Sequence, residues 1–238
     1  MSVHRHLSRE DGRLRTTTWR GDPSTAQLVA RGRPSTRALE DALAELAQSG
    51  FATVVTSALS PAEQAPFLDA GFTVHERLHL LRRGVERPPR PPADVALRKA
   101  RAEDRPQVLA VDGAAFLPFW RFDQAGLDDA VAATPSARMR VALRAGADEV
   151  VGYAITGRAG GRGYLQRLAV SPDCRRAGIG TALVADGLRW LRRWGAREVL
   201  VNTQEGNQAA LALYDALGFT REPGGLAVLA RSLDVGQR

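Results

Sequence analysis

Apolar residues recur at helical spacing after Gly178. Leu183, Val184, Gly187, Leu188, Leu191 and Trp194 form one stripe and predict a helix over Gly178–Trp194. Gly195 follows, where a helix C-terminus takes glycine. Upstream, Val108, Leu109, Val111, Asp112 and Ala115 share the same spacing and predict a helix over Ala102–Phe116. Leu117–Asp123, LPFWRFD, reads as an aromatic loop, and Gln124–Ala133 as a second short helix. Strands are expected at Val95–Ala100, Met139–Arg144, Val150–Arg158, Gly163–Val170, Glu198–Thr203 and Leu226–Ser232. Asn207 is placed to cap a helix that runs through Leu217 and stops at Gly218. The order β-α-α-β-β-β-α-β-α-β is a mixed α/β pattern.

Pro88, Pro89, Pro91 and Pro92 interrupt the pattern and fit neither a helix nor a sheet interior. The expected organisation is a domain over residues 1–83, a stiff linker over 84–93, and a second domain over 94–235. The first half echoes the end of the second: helix, strand, helix, Gly-Phe, strand. Gly71-Phe72 and Gly218-Phe219 are 147 positions apart, and by that offset Phe67 stands where Tyr214 stands. This reads as an internal duplication.

At 238 residues the chain is long enough for two small domains or one large one, at ~100–200 residues each. No apolar run approaches the ~18 residues of a membrane span, and the opening MSVHRHLSRED has no apolar signal core. Cys174 is the single cysteine, which excludes an internal disulfide and fits a reducing cytoplasm. The net charge of +7 raises a nucleic-acid reading, but the arginines are dispersed among Asp and Glu with no block of five like charges. The charge suits an anionic cofactor better. Oligomeric state has no signature in the sequence.

The chemistry concentrates in SPDCRRAGIGTAL, Ser171 to Leu183. The first turn of a helix carries unpaired N–H groups and roughly +0.5 charge. Gly178 and Gly180 lack the β-carbon that would hold an anion off the backbone. Arg175 and Arg176 add full positive charges, so the segment describes a pyrophosphate cradle. A P-loop would require a lysine, which the segment lacks. A dinucleotide fingerprint would require a third glycine, where Leu183 stands.

The hexapeptide Arg175-Arg176-Ala177-Gly178-Ile179-Gly180 instead matches R/Q-x-x-G-x-G/A. With YLQRLAVSPDCRRAGIGTAL and NQAALALYDALGF around it, the chain from Val95 to Leu233 resembles the GCN5-related N-acetyltransferase (GNAT) family. The resemblance implies a mixed, mostly antiparallel sheet flanked by helices, and acetyl-CoA as co-substrate. It implies that backbone groups near Leu168, Ala169 and Val170 pair with the pantetheine arm. Amides at Arg176, Ala177, Gly178, Ile179, Gly180 and Thr181, with Arg175 beside them, would take the pyrophosphate. Asn207 would contact the cofactor arm, and Tyr214 would protonate the departing thiolate. Members related to the ribosomal-protein N-terminal acetyltransferases carry a glutamate where this chain has Asn202, so the expected base is a water relay through Asn202, Tyr164 or Glu205. Phe119, Trp120, Arg121, Asp123 and Gln166 are the acceptor-side candidates.

The first domain then reads as a truncated, inactive copy. VARGRPSTRALEDAL lacks the paired glycines and Phe67 replaces the tyrosine, so its role would be to extend the sheet or wall the acceptor site. The tandem arrangement resembles that of the mycothiol synthases, which adds a small thiol-sugar amine to a protein N-terminus or lysine as acceptor. A non-catalytic acyl-CoA-binding or sensor module is the alternative, supported by the missing carboxylate at Asn202. One motif is set aside. His75-Glu76-Arg77-Leu78-His79 spells H-E-x-x-H, but its alternation predicts a strand. Two histidines four apart on a strand are ~13 Å apart and cannot share one zinc. No metal site is expected.

Overall fold

In the computed structural model, which describes residues 14–92 and 94–233, the apolar stripes become packed helices. Residues 1–13, Ala93 and 234–235 of the expected domains lie outside the described residues. In chain order the first elements are β1 (Leu14–Trp19), β2 (Asp22–Ala30), α1 (Thr36–Gln48), β3 (Thr53–Thr56), α2 (Pro61–Asp69) and β4 (Thr73–Gly84). Next come β5 (Leu97–Lys99), α3 (Arg105–Ala115), α4 (Gln124–Ala132), β6 (Ser136–Leu143), β7 (Val150–Ala159) and β8 (Arg162–Val170). The chain continues with α5 (Ile179–Arg193), β9 (Glu198–Gln204), α6 (Gln208–Ala216), β10 (Thr220–Arg221) and β11 (Leu226–Ser232).

The chain divides into two units that interleave in sequence. The first holds the residues up to Leu80, Asn202–Gly206, and the chain from Glu222. The second holds Leu81–Val201 and Asn207–Arg221. These bounds differ from the division at the proline segment. Leu226–Ser232 falls in the first unit because β11 pairs antiparallel with β3 (Ala230↔Val55) and with β4 (Leu226↔Leu78). The segment leading to Pro92 belongs to the second unit and is docked there. Val85 is buried and donates its N–H to Arg197 O, and Arg192 Nη1 donates to Glu86 O at 3.1 Å.

In the first unit, β1 and β2 form a hairpin turned by Arg20 and Gly21, both at positive φ as a two-residue hairpin turn requires. β2 runs parallel to β3. Leu28, Leu39, Leu43, Leu46, Val54, Phe67, Phe72 and Leu229 build its core. The hairpin escapes sequence reading for a physical reason. Thr16, Thr25 and Ala26 occupy buried positions, so the apolar alternation is faint.

In the second unit the order is β9-β8-β7-β6-β5, antiparallel from β5 to β8 and parallel between β8 and β9. One face packs on α5 and α6 through Leu165, Leu183, Leu188, Leu191, Val199, Tyr214 and Phe219. The other packs on α3 and α4 through Val108, Val111, Leu127, Val141, Tyr153, Ile155 and Ala169. This is the mixed, mostly antiparallel sheet flanked by helices that the family resemblance implied. Helix α5 lies close to the strands. A β-carbon on Gly163 would stand 2.5 Å from Leu191 Cδ1, and one on Gly187 would stand 2.9 Å from Thr156 Oγ1.

The duplication is visible in local geometry. The 147-residue offset carries Pro61–Asp69 onto Gln208–Ala216. Phe72 N donates to Phe67 O and Phe219 N to Tyr214 O, both at 3.0 Å. Gly71 and Gly218 have φ of 78° and 76°. The ring pairs Phe67–Phe72 and Tyr214–Phe219 are 5.4 and 5.2 Å apart.

The predicted stripe of α5 is buried from Leu183 to Leu191, but Trp194 is 57% exposed because the helix ends at Arg193. Leu188→Ala is therefore expected to cost about 2–5 kcal/mol. Trp194→Ala should stay within about 0.5 kcal/mol. Urea denaturation of the two variants checks both values.

Candidate active site

The segment expected to be the cradle leaves β8 as one continuous turn. Ser171 donates its N–H to Val151 O at 2.8 Å, and Pro172–Cys174 make a single 3-10 turn. Asp173 fastens this turn: it accepts from Ser171 Oγ and from Arg144 Nη2. Those two bonds, in that order, hold the Asp173 carboxyl down at about 2. Burial pushes the Cys174 thiol up, the opposite of what a reactive thiolate needs.

Beyond the turn the chain is exposed at Arg175, Arg176 and Ala177. Arg176 has φ 63°, a left-handed conformation costing a non-glycine residue about 1–2 kcal/mol. Gly178 follows at φ 76° and is the N-cap of α5. Neither Arg175 nor Arg176 forms an ion pair with a described residue. The cap itself has no side chain, so it satisfies none of the first-turn N–H groups of Ile179, Gly180 and Thr181. Some other helices are capped by a side chain: Ser35 Oγ accepts from Ala38 N in α1, and Asn207 Oδ1 accepts from Ala210 N in α6, each at 3.2 Å. The glycines serve the backbone more than anion clearance. A β-carbon on Gly178 would lie 2.9 Å from Pro92 Cγ, and one on Gly180 would lie 3.1 Å from Leu213 Cδ2. Both missing atoms face protein.

The strand feeding the cradle carries a second irregularity. Ile155 pairs with Arg167 but Thr156 pairs with Leu165, so Gln166 is the extra residue of a bulge. The bulge reverses the faces of β8. Leu165 packs toward α5 and α6, while Ala169 packs toward α3 and α4. Leu168 and Val170 rest against the α5–α6 core. Pairing with β9 runs only from Arg162↔Glu198 to Tyr164↔Leu200. Beyond half-buried Tyr164, that edge of β8 pairs with no described strand. Both polar atoms of the Gln166 amide are buried without a hydrogen-bond partner among the described residues.

The aromatic loop after α3 includes a 3-10 turn at Pro118–Trp120. Phe119 and Trp120 meet edge to face at 5.0 Å and are half-buried. Arg121 is exposed, with Nε donating to Phe116 O at 3.1 Å. Asp123 caps α4, accepting from Gly126 N at 2.8 Å.

Two residues with no predicted role anchor this loop. Asp112 is fully buried, and its carboxylate accepts from Arg167 Nε and Nη2, each at 2.8 Å. It also accepts from Phe122 N at 2.7 Å and from the Tyr153 hydroxyl at 2.5 Å. Burial drives the Tyr153 hydroxyl strongly upward, so it stays a donor. The available signal was a carboxylate on an apolar helical stripe, Asp112 between Val108 and Ala115.

The remaining candidates separate. Tyr214 is buried in the α5–α6 core against Phe219, and burial raises its hydroxyl well above the ordinary tyrosine range. Asn202 and Glu205 are exposed and belong to the first unit, where Glu205 N donates to Arg77 O at 3.1 Å. Tyr164, Tyr214, Asn207 and the cradle belong to the second. His75–His79 lie in β4, as the alternation predicts.

Residues 100–219 match the acetyltransferase (GNAT) family. The mycothiol acetyltransferase of Rhodococcus jostii (strain RHA1) is 31% identical over 259 aligned positions, covering 91% of this chain and 80% of that protein. That of Geodermatophilus obscurus is 46% identical over 59 residues, which span 25% of this chain and 19% of that protein. A solved tandem GNAT protein from the clavulanic acid biosynthesis pathway has the same fold at a TM-score of 0.69 and 18% identity, covering 94% of this chain and 79% of that one. With a duplicated helix-strand-helix, a bulged strand and an uncapped helix at its end, the chain belongs to the GNAT family of acetyltransferases, in a tandem arrangement.

Proposed function

We propose that the protein transfers an acetyl group from acetyl-CoA to a primary amine, by direct attack within a ternary complex. The observation that carries this reading is the first turn of α5, with no side-chain cap, beside two arginines that have no ion-pair partner among the described residues, at the end of a strand with one edge unpaired among the described strands. The free N–H groups of Ile179, Gly180 and Thr181, with Arg175 and Arg176, suit a pyrophosphate. The open edge of Leu168–Val170 suits an amide-bearing arm laid alongside as an added strand. Acetyl-CoA would supply the activated thioester.

The residues then divide the work. A backbone N–H of Leu168–Val170 donates to the developing oxyanion. Tyr214, held protonated by burial, is the donor for the departing thiolate. The amine must attack unprotonated, and a water relay through Tyr164, the base candidate in the same unit as the cradle, takes its proton. Phe119, Trp120, Arg121, Asp123 and Gln166 face the acceptor, a small-molecule or peptide amine. The likeness to mycothiol acetyltransferases favours a thiol-sugar amine.

The first unit keeps the scaffold without the cradle. Ser35 caps α1 by accepting from Ala38 N, one first-turn donor that its counterpart in α5 leaves open, and Phe67 stands in place of Tyr214. We assign it a structural role. Among the described residues no helix is long and apolar enough to cross a membrane. The single cysteine fits a cytoplasmic setting.

The exposed amide at Asn202 favours a second reading, a non-catalytic acyl-CoA sensor. The two separate in one experiment. Acetyl-CoA at 100-fold its Kd should stabilise the protein by about 2.7 kcal/mol. That is a melting-temperature rise of roughly 5–11 °C for a chain of this size. Arg176→Glu should remove the rise, and no rise in the wild type would overturn both readings. Tyr214→Phe should keep the rise and lose about 100-fold or more in turnover. Binding without acetylation of any amine in a broad panel would favour the sensor.

A further inference from the structure

Asp112 and Arg167 sit in the interior, yet the loop they hold stays open to solvent. Leu117 at its start is 72% exposed, and Phe119 and Trp120 are half-buried. The pair thus fixes a surface rather than burying one. A buried ion pair adds little net stability over apolar residues of similar volume, and its attested use is to specify one geometry. The geometry here is tightly specified. The Asp112 carboxylate receives Arg167, the Phe122 N–H and the Tyr153 hydroxyl. Arg167 Nη2 also donates to Trp120 O at 2.6 Å. Its guanidinium lies 3.5 Å from the Phe116 ring centroid and 3.9 Å from that of Phe122. The start, middle and end of the loop are all tied to β8, next to the bulge residue Gln166, whose amide has no hydrogen-bond partner among the described residues.

We infer that Arg167 is a positioning residue for acceptor recognition. Through Asp112 and the Trp120 carbonyl, it holds the 116–122 loop so that Phe119 and Trp120 offer the amine substrate a preformed wall. This rests on the acetyltransferase reading above. A guanidinium is required because one planar group must fork to a carboxylate, reach a carbonyl and stack on two rings. A lysine ammonium has donors for the carboxylate and the carbonyl, but no planar fork and no flat face to stack on the rings.

The test uses the full chain, acetyl-CoA, and two acceptor probes: cysteinyl-glucosamine and an alanine-led peptide. Arg167→Met should raise the acceptor KM at least tenfold and leave the acetyl-CoA KM within twofold. Arg167→Lys should recover only part of the loss. The pair Asp112→Leu with Arg167→Met leaves no unpaired buried charge, so it keeps the fold testable, and it should show the same KM split. Hydrogen exchange in residues 116–123 should quicken at least tenfold in these variants, with 179–193 unchanged. Trp120→Ala is the control for the wall itself. If it raises the acceptor KM while both Arg167→Met variants do not, the positioning role is overturned. If Trp120→Ala also leaves the acceptor KM unchanged, the loop is not an acceptor wall and the inference falls with it. If the wild type binds acetyl-CoA but acetylates neither probe nor any amine of the broad panel, the transferase reading is what fails. Localised exchange in 116–123 then still supports Arg167 as the loop's anchor, and uniform exchange overturns it.

Discussion

Helix α5 has to lie almost in contact with the backbone of β7 and β8, and the second unit is arranged around that approach. Gly152, Gly163 and Gly187 occupy the contact points, where a β-carbon would meet Ile179, Leu191 and Thr156. Large side chains at these three positions would lift the helix off the sheet. Because the helix is seated, its N-terminus is fixed relative to the end of β8, and the short turn between them has little freedom. The left-handed conformations of Arg176 and Gly178 follow from this closure. Strain of this kind persists only where the surroundings over-determine it.

The two copies show what separates a scaffold from a site. Both keep the helix ends, the glycine at positive φ and the packed ring pair. They part at the entrance of the helix after the parallel strand. In the first copy a short connection delivers Ser35, whose hydroxyl occupies a backbone donor. In the second a longer one delivers a glycine cap and two arginines, leaving donors and charge available. The proposed anion site would work mainly through backbone groups that its helix cap leaves unsatisfied.

The other side of β8 follows the opposite rule. There every polar group of the Asp112–Arg167–Tyr153 cluster that faces the interior finds a partner, and the result is rigidity. Removing Asp112 or Arg167 alone would strand a buried charge, at a cost of about 3–5 kcal/mol. One strand thus separates an open, charge-accepting end from a closed, loop-fixing one, and the bulge at Gln166 is what turns its side chains between them.

The features legible in the sequence were those encoded over a few residues. The α5 stripe, the Asn207 cap, the strand character of His75–His79 and the cradle all depend on local spacing and local backbone chemistry. Leu226–Ser232 was recognisable as a strand, but its neighbours were not, because which edge a strand pairs with depends on distant hydrogen-bonding groups. The bulge in β8 left no mark in the pattern, since a single extra residue shifts register without changing composition. Asp112 and Arg167 lie 55 positions apart, and each alone reads as an anomaly on an apolar face. Periodicity and motif by themselves pointed to most of the helices and strands, the β1–β2 hairpin excepted, and to Arg175–Thr181 as the place to expect an anion. Only the tertiary structure decided which strands meet, which face each side chain takes, and that a buried carboxylate and a buried guanidinium answer one another, because those outcomes depend on contacts between residues remote in the chain.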